Sequence, residues 1–382
     1  MTTVCVAALR SRFSLDLRAL AAFRVALGGF VLFDICCRTS DTLAWYTGGE
    51  GGGPPSLLAA DDTPHGFVLH RLLFYRGPWQ LQAAWFAASA VMAAAFILGW
   101  RTQVVSWLLY ALVAGYQGRS QHIHDGGDKL LRHLLLWSCL LPVEARCSVD
   151  AWRVPRLTSR KYKEEDGPHR ERHAIGNMGG AEGGAHFSAA SIGLTLQVVA
   201  LYWVTAARRT GAQWWPPELS AVYYMLAGTF AASPLGNWVA ASMPGLCRVL
   251  TGAGQMTEFL APAMLLATPY TASLRLIPII ALVGLQAGIA ATMWLVNFQA
   301  ISVLCMLAFL PPSAMDAAAH ACPAWLAALA ERLGSSLART GVRHGGGARP
   351  LPHTTAAAPP GMAELARKVR DLAPLCQGKP RG

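Results

Sequence analysis

The chain has 382 residues, of which 53% are hydrophobic and only 14% charged, and its mean hydropathy is +0.34. Soluble domains carry about 25% charged residues, so this composition excludes an ordinary water-soluble enzyme, a disordered chain and a fibre. The class left is an all-α polytopic transmembrane bundle.

The formal charge is +11, from 32 Lys+Arg against 21 Asp+Glu. In a membrane protein such an excess reflects cytoplasmic loops and contact with anionic lipid, not nucleic acid. Nine cysteines are scattered without a Cys-x-x-Cys pair, and several fall in apolar runs. A thiol there behaves as a small hydrophobe, so neither a disulfide framework nor a metal site is read from them.

A crossing helix needs about 20 mostly apolar residues to span the hydrocarbon. Residues 20–37 give the first span. It is preceded by Arg10, Arg12 and Arg18, lacks a small-residue cleavage site and is read as retained. Residues 79–100 and 103–118 give the second and third, separated by the turn Gly99-Trp100-Arg101-Thr102. A short fourth covers 129–141 and stops at Pro142. The fifth covers 188–207, the sixth 219–232 and the seventh 256–267. Residues 273–310 form one long apolar run, enough for two crossings or for a kinked helix plus a second. The count is eight or nine.

Orientation follows the Lys/Arg bias of the loops. The 143–187 loop holds eight Lys/Arg, and an N-terminus in the cytoplasm (residues 1–16) places this loop there as well. The loop at 38–78, with three arginines, then faces outside or the lumen. A tail at 313–382, rich in Lys and Arg, also prefers the cytoplasm, which favours eight spans. That tail reads as amphipathic helices at 323–337 and 362–375 with disordered stretches between and around them.

A charge at the bilayer centre costs roughly 2.5–3.5 kcal/mol even on lenient scales, so each one needs a partner or water. Arg24 and Asp34 of the first span either line a polar cavity or form interhelical ion pairs. We assign them a structural role, as we do Gly126 and Gly127, which permit a tight turn or a close approach to the backbone. The densest group is His122-Ile123-His124-Asp125-Gly126-Gly127-Asp128-Lys129-Leu130-Leu131-Arg132-His133. Asp128 suits a helix N-cap and can pair with Arg132 one turn on. Asp125, Asp128 and His133 are the acid–base candidates. Capping with snorkelling side chains is the competing reading.

A third group is Arg208-Arg209 followed by Trp214-Trp215. It is either an interfacial belt or an anion-binding pair, since guanidinium groups hold carboxylate or phosphate bidentately. Arg208, Arg209, Trp214, Arg132 and Glu258 are the substrate-binding candidates.

These residues resemble a known family. Phe23-Arg24 with Asp34, Trp45-Tyr46 and Leu98-Gly99-Trp100-Arg101-Thr102 carry part of the likeness. Its strongest motif is Asp125-Gly126-Gly127-Asp128-Lys129-Leu130-Leu131-Arg132, followed by Trp137 and Leu141-Pro142. Arg146-Cys147-Ser148-Val149-Asp150-Ala151 and Thr257-Glu258 extend it. Together they look like the HTTM family, the horizontally transferred transmembrane domain related to the membrane part of vitamin K-dependent gamma-carboxylase. The likeness covers residues 17–312.

It implies a membrane-embedded site for a lipophilic or quinone-like molecule, and names no cofactor for this chain. The carboxylase base is a lysine in a Lys-Lys-Leu-x-x-x-Trp stretch, and the matching stretch here is Arg208-Arg209-Thr210-Gly211-Ala212-Gln213-Trp214. Arg209 stands where the base would be and cannot give up its proton usefully. Asp128 stands where the family carries a functional histidine. The resemblance therefore implies the fold and argues against vitamin K-dependent carboxylation. Three functions remain open: a membrane enzyme, a non-catalytic scaffold and a transporter. The partners expected are the lipid bilayer and a lipophilic small molecule.

Overall fold

A computed structural model of the chain describes residues 2–40, 79–117, 125–151, 184–229 and 231–320. Trp45-Tyr46, His122, His124, most of the 143–187 loop and the tail beyond His320 lie outside the described residues.

The described residues are mostly helical. In chain order the elements are α1 (Thr2–Phe13), β1 (Leu15–Asp16), α2 (Leu17–Ser40), α3 (Trp79–Leu98), α4 (Thr102–Gln117), α5 (Gly126–Leu140), β2 (Ala185–His186), α6 (Ala189–Ala207), α7 (Ala221–Gly228), α8 (Pro234–Ser242), α9 (Pro244–Ala267), α10 (Leu276–Thr292) and α11 (Val296–Met306). These belong to one compact unit, Met1–Pro311. A second unit, Pro312–Gly382, is described over the helix Pro312–His320.

Among the described residues, four helices are long and apolar enough to cross a membrane: Leu17–Thr39, Gln80–Leu98, Ala189–Ala207 and Ser273–Thr292. The exterior agrees with that. Ile280 is 65% exposed, Val249 64% and Val91 61%, while Asp34, Gln82, Gln117, Asp128 and Glu258 are buried. Water would penalise such a large apolar exterior, whereas lipid does not. The several apolar helices make this a membrane-embedded protein.

One sequence-derived segment is corrected. Residues 219–232 are not a single helix. The chain forms α7, of 8 residues, and then α8, of 9 residues. Ser233 caps α8 through the Gly236 amide at 3.0 Å, with Pro234 in its first turn. α7 ends where Thr229 turns extended (φ −115°, ψ 145°), and Pro234 keeps Ser233 out of the helix that it caps. The seventh segment is longer than its apolar run, since α9 begins at Pro244 and carries Pro262 inside. The 273–310 run breaks between α10 and α11, where the Trp294 amide donates to Ala231 O at 2.7 Å.

Consecutive long helices alternate in direction. Gly28 of α2 faces Ala93 and Phe96 of α3. The Trp85 indole of α3 donates to Leu112 O of α4 at 2.9 Å. Gln103, at the start of α4, donates to Cys139 O, at the end of α5, at 2.7 Å. The Trp137 indole of α5 donates to Gln197 of α6, and Trp203 of α6 to Phe259 O of α9 at 3.0 Å. β1 and β2 pair antiparallel, Leu15 with His186, and so mark one end of the bundle. The starts of α2, α4, α6 and α10 lie at this β-pair end. Their C-terminal ends, and the starts of α3, α5, α9 and α11, form the distal end. Leu130, Leu131, Leu134 and Leu135 of α5 are buried in the apolar core with Phe23, Leu27 and Val31 of α2.

Candidate functional site

At the distal end α5 begins with a reciprocal cap. Asp125 is the N-cap, and its carboxylate accepts from the Asp128 amide at 3.0 Å. The Asp128 carboxylate accepts in return from the Asp125 amide at 3.2 Å. Two of the four orphan N–H groups of the helix are thereby satisfied. The cap is Asp125, not Asp128; Asp128 sits one turn into the helix and is free to reach elsewhere.

It reaches Arg38 of α2, not Arg132 of its own helix. The Arg38 Nη2 donates to Asp128 Oδ1, and its Nε donates to Asp34 at 2.9 Å. Tyr116 of α4 donates its hydroxyl to Asp34 Oδ2 at 2.7 Å, with the Arg38 guanidinium 5.5 Å from its ring centroid. Gln117 Nε2 donates to Asp128 Oδ1 at 3.1 Å. One buried network thus joins α2, α4 and α5.

Gly126 and Gly127 let α11 come close. A Cβ at Gly127 would stand 3.0 Å from both Cα and N of Phe298 and 2.9 Å from Asp125 Oδ1. A side chain there has no room, which is the close backbone approach expected of the pair.

The second group lies at the end of α6. Arg209 donates to Glu258 Oε1 at 2.7 Å and to Gln255 Oε1 at 3.0 Å, both on α9. Its guanidinium lies 4.4 Å from the Trp214 ring centroid. Gln255 also donates to Ala206 O at 3.2 Å, which fixes its amide. Gln286 of α10 donates to the Tyr202 hydroxyl at 3.3 Å.

Asp128, Asp34, Arg209, Trp214 and Glu258 are therefore all held in contacts at the distal end. His133 is exposed on the outer face of α5. Arg208 and Asp125 are exposed, and Arg132 is half-buried. Arg24 lies at the opposite end, so it does not pair with Asp34. Sequence reasoning missed Arg38, Tyr116, Gln117 and Gln255. Arg38 was findable, four residues after Asp34 on one helix face. Gln255, three residues before Glu258, was findable in the same way.

Several buried polar atoms of this half have no hydrogen-bond partner: both amide atoms of Gln82, Gln117 Oε1, Glu258 Oε2, Gln286 Oε1, Gln299 Oε1 and Ser302 Oγ. Each such group costs about 1–3 kcal/mol unless something fills the need. With the exception of Gln82 Nε2, these atoms can accept a hydrogen bond. Gln117 cannot turn its amide round, because its NH₂ already faces a carboxylate.

The β-pair end is built differently. Arg24, fully buried, donates to Val143 O at 3.2 Å and to Cys147 O at 2.6 Å. Asp150 accepts from the amides of Arg101 at 2.9 Å and Thr102 at 2.7 Å, capping α4. Its own amide donates to Gly99 O at 3.0 Å. Gly99 has φ +70°, and a Cβ there would stand 2.7 Å from the Arg24 guanidinium. The Gly99-Trp100-Arg101-Thr102 turn and the Arg146-to-Ala151 stretch, both singled out in the sequence, meet here around Arg24. Burial pushes the Glu144 carboxyl of this loop above its usual range, although Arg24 nearby pulls it down.

No family model matches the chain, and neither a curated protein nor a solved structure shows significant similarity to it.

Proposed function

We propose that the chain is a multi-pass integral membrane protein of HTTM type with eight crossings. The crossings are α2 to α6 and α9 to α11, with α7 and α8 lying at the distal end without traversing. Their alternating direction supports this count, as does the return of α11 to the β-pair end. By the loop charges, the β-pair end faces the cytoplasm and the distal end the outside or the lumen.

In this reading the distal half binds a lipophilic molecule whose polar head donates hydrogen bonds, of the quinone class in its reduced, hydroxyl-bearing quinol form, and the protein acts on it there as an enzyme. The observation that carries the reading is the set of orphaned acceptors in the distal half, among them Gln117 Oε1 beside the Asp34–Arg38–Asp128 network and Glu258 Oε2 beside Arg209. Asp128, held by Arg38 and Gln117, orients and stabilises charge; Asp125, exposed at the start of α5, is the group with access to exchange a proton. Arg209 is bound to Glu258 and remains cationic, so it serves as an electrostatic anchor and not as a base. Carboxylation by the lysine-base route does not fit this site.

A scaffold is the second reading, and the closure of Asp34, Arg38 and Asp128 on one another favours it. Gln299→Leu and Ser302→Ala separate the two. Each removes an orphaned polar atom, so the scaffold reading expects unchanged or raised thermal stability and nothing more. The enzyme reading expects the same stability together with loss of a hydroxyl- or amine-bearing lipophile that co-purifies with the wild-type protein, detected by mass spectrometry. If wild type and variants carry the same molecules, the enzyme reading is wrong.

A further inference from the structure

An open cleft of about 500 Å³ is lined by Glu218, Ser220, Tyr223, Tyr224, Pro244 and Arg248. Its size falls within the roughly 300–1,000 Å³ range of small-molecule sites. We infer that it binds the headgroup of a zwitterionic phospholipid, with phosphate against Arg248 and Ser220 and ammonium against Glu218 and the two tyrosines.

The position comes first. Arg248 lies ten residues before Glu258 on α9, so about 15 Å further towards the distal end than the Arg209–Glu258 pair. The surrounding surface is apolar and open: Val249 is 64% exposed and Trp238 53%. Leu246, Leu250 and Met243 are also exposed there. Acyl chains have a surface to follow, and the exposed Trp238 and Trp294 are of the type that lies at headgroup level.

The chemistry of the lining comes second. Arg248 is anchored by its Nε donating to Glu218 O at 3.1 Å and its Nη2 to Pro217 O at 2.8 Å. It is thus held in place by neutral carbonyls, and its charge is not cancelled by the Glu218 carboxylate through these bonds. Ser220 is the N-cap residue of α7, yet its side chain caps nothing, so its hydroxyl is available to a phosphate oxygen. The Tyr223 and Tyr224 rings stand edge to face, 5.6 Å apart at 72°, and present π-faces that attract an ammonium. One cation with a hydroxyl and one anion with two aromatic rings, in a single cleft, match a phosphate joined to an ammonium. A purely anionic headgroup would leave the carboxylate facing like charge.

The test uses the full chain in discs containing equal amounts of phosphatidylcholine, phosphatidylethanolamine and phosphatidylglycerol with identical acyl chains. Lipids retained after mild delipidation are counted by native mass spectrometry. The expected result is retention of one zwitterionic lipid over phosphatidylglycerol by roughly fivefold, the scale of an ammonium held by aromatic faces. Glu218→Gln should abolish that preference, and Tyr224→Leu, at a residue 62% exposed, should reduce it. Arg248→Gln should lower retention of all three. Equal or greater retention of phosphatidylglycerol by the wild type overturns the assignment, and so does an unchanged preference in Glu218→Gln.

Discussion

The most buried arginines at the two ends of the bundle have different partners, although the half-buried Arg18 also binds the Asp16 carboxylate at the β-pair end. At the β-pair end, Arg24 donates to Val143 O and Cys147 O, and Arg275 to Arg12 O at 2.9 Å. At the distal end, Arg38 binds Asp34 and Asp128, and Arg209 binds Glu258. The unmatched atoms differ in the same sense. At the β-pair end they are donors, Arg24 Nε with Arg275 Nε and Nη2, whereas in the distal half they are almost all acceptors. Carbonyls are neutral, and those of Val143 and Cys147 belong to a loop that Arg24 staples to α2, while the Arg12 carbonyl of α1 receives Arg275. Carboxylates belong to helices and carry charge, so the second arrangement binds helices together and leaves acceptors facing inwards.

The strongest way to break this contrast is to remove an arginine from each end. Arg38→Met strands two buried carboxylates, and removing one member of a buried ion pair costs about 3–5 kcal/mol. Arg24→Met leaves only neutral carbonyls behind, at a cost of about 1–3 kcal/mol. Unfolding free energies in mixed micelles give both values. Equal losses would remove the distinction between the ends.

Gly127→Ala ranks next. The added methyl meets the Phe298 backbone, which cannot rotate away as a side chain would. Overpacking of this kind costs about 1–3 kcal/mol. The measurement is the same unfolding curve, together with cross-linking yield between cysteines placed on α5 and α11. An unchanged curve and an unchanged yield would show that the two helix starts are not in close contact.

Much of the bundle was legible from hydrophobic runs, because a lipid-facing helix is written in consecutive apolar residues. The first three spans and the fifth come within a few residues of α2, α3, α4 and α6. The sixth failed because residues 219–232 are apolar enough to cross, yet the helix within them, α7, ends at Gly228, and Ser233-Pro234 then starts a second short helix. The site was half legible. Asp128, Arg209 and Glu258 stood out because charge among apolar residues is conspicuous. Arg38 was passed over as part of a loop, although it belongs to the last turn of α2. Gln82, Gln117 and Gln299 carry no charge, and only the packing reveals that they are buried. His133 was drawn in by its neighbours in sequence, whereas its helical phase turns it outwards.

Capping gives a smaller and matched pair of tests. Asp125→Ala removes the cap of α5 at the distal end, and Asp150→Ala the bonds to the first amides of α4 at the β-pair end. Each should cost about 0.5–2 kcal/mol. Ligand retention sharpens the contrast between the two ends. Asp125→Ala leaves the Asp128 amide without its acceptor, loosens the helix turn that holds Asp128 and should alter retention, whereas Asp150→Ala should not. Activity or retention that falls equally in both would place them in the same structural class.

The smallest effect is one of pH, at the β-pair end. Burial holds the His186 imidazole below its ordinary 6.5. An unfolded chain therefore takes up this proton before the folded one does. The stability tied to His186 is present above that value and is lost as pH falls through the lower, folded one. His186 lies on β2 opposite Leu15, and its Nε2 is 2.9 Å from the Ser188 hydroxyl that caps α6. Acidification should thus loosen the strand pair first, seen as faster exchange of the Leu17 amide, which donates to Gly184 O at 2.6 Å. Glu144 at the same end acts with opposite sign. Its raised value makes its share present at low pH and lost as pH rises, so the two must be separated. His186→Gln does that: it should flatten the exchange profile between about pH 7.5 and 5.5, after correction for intrinsic rates. A slope that survives the substitution would assign the loosening to another group.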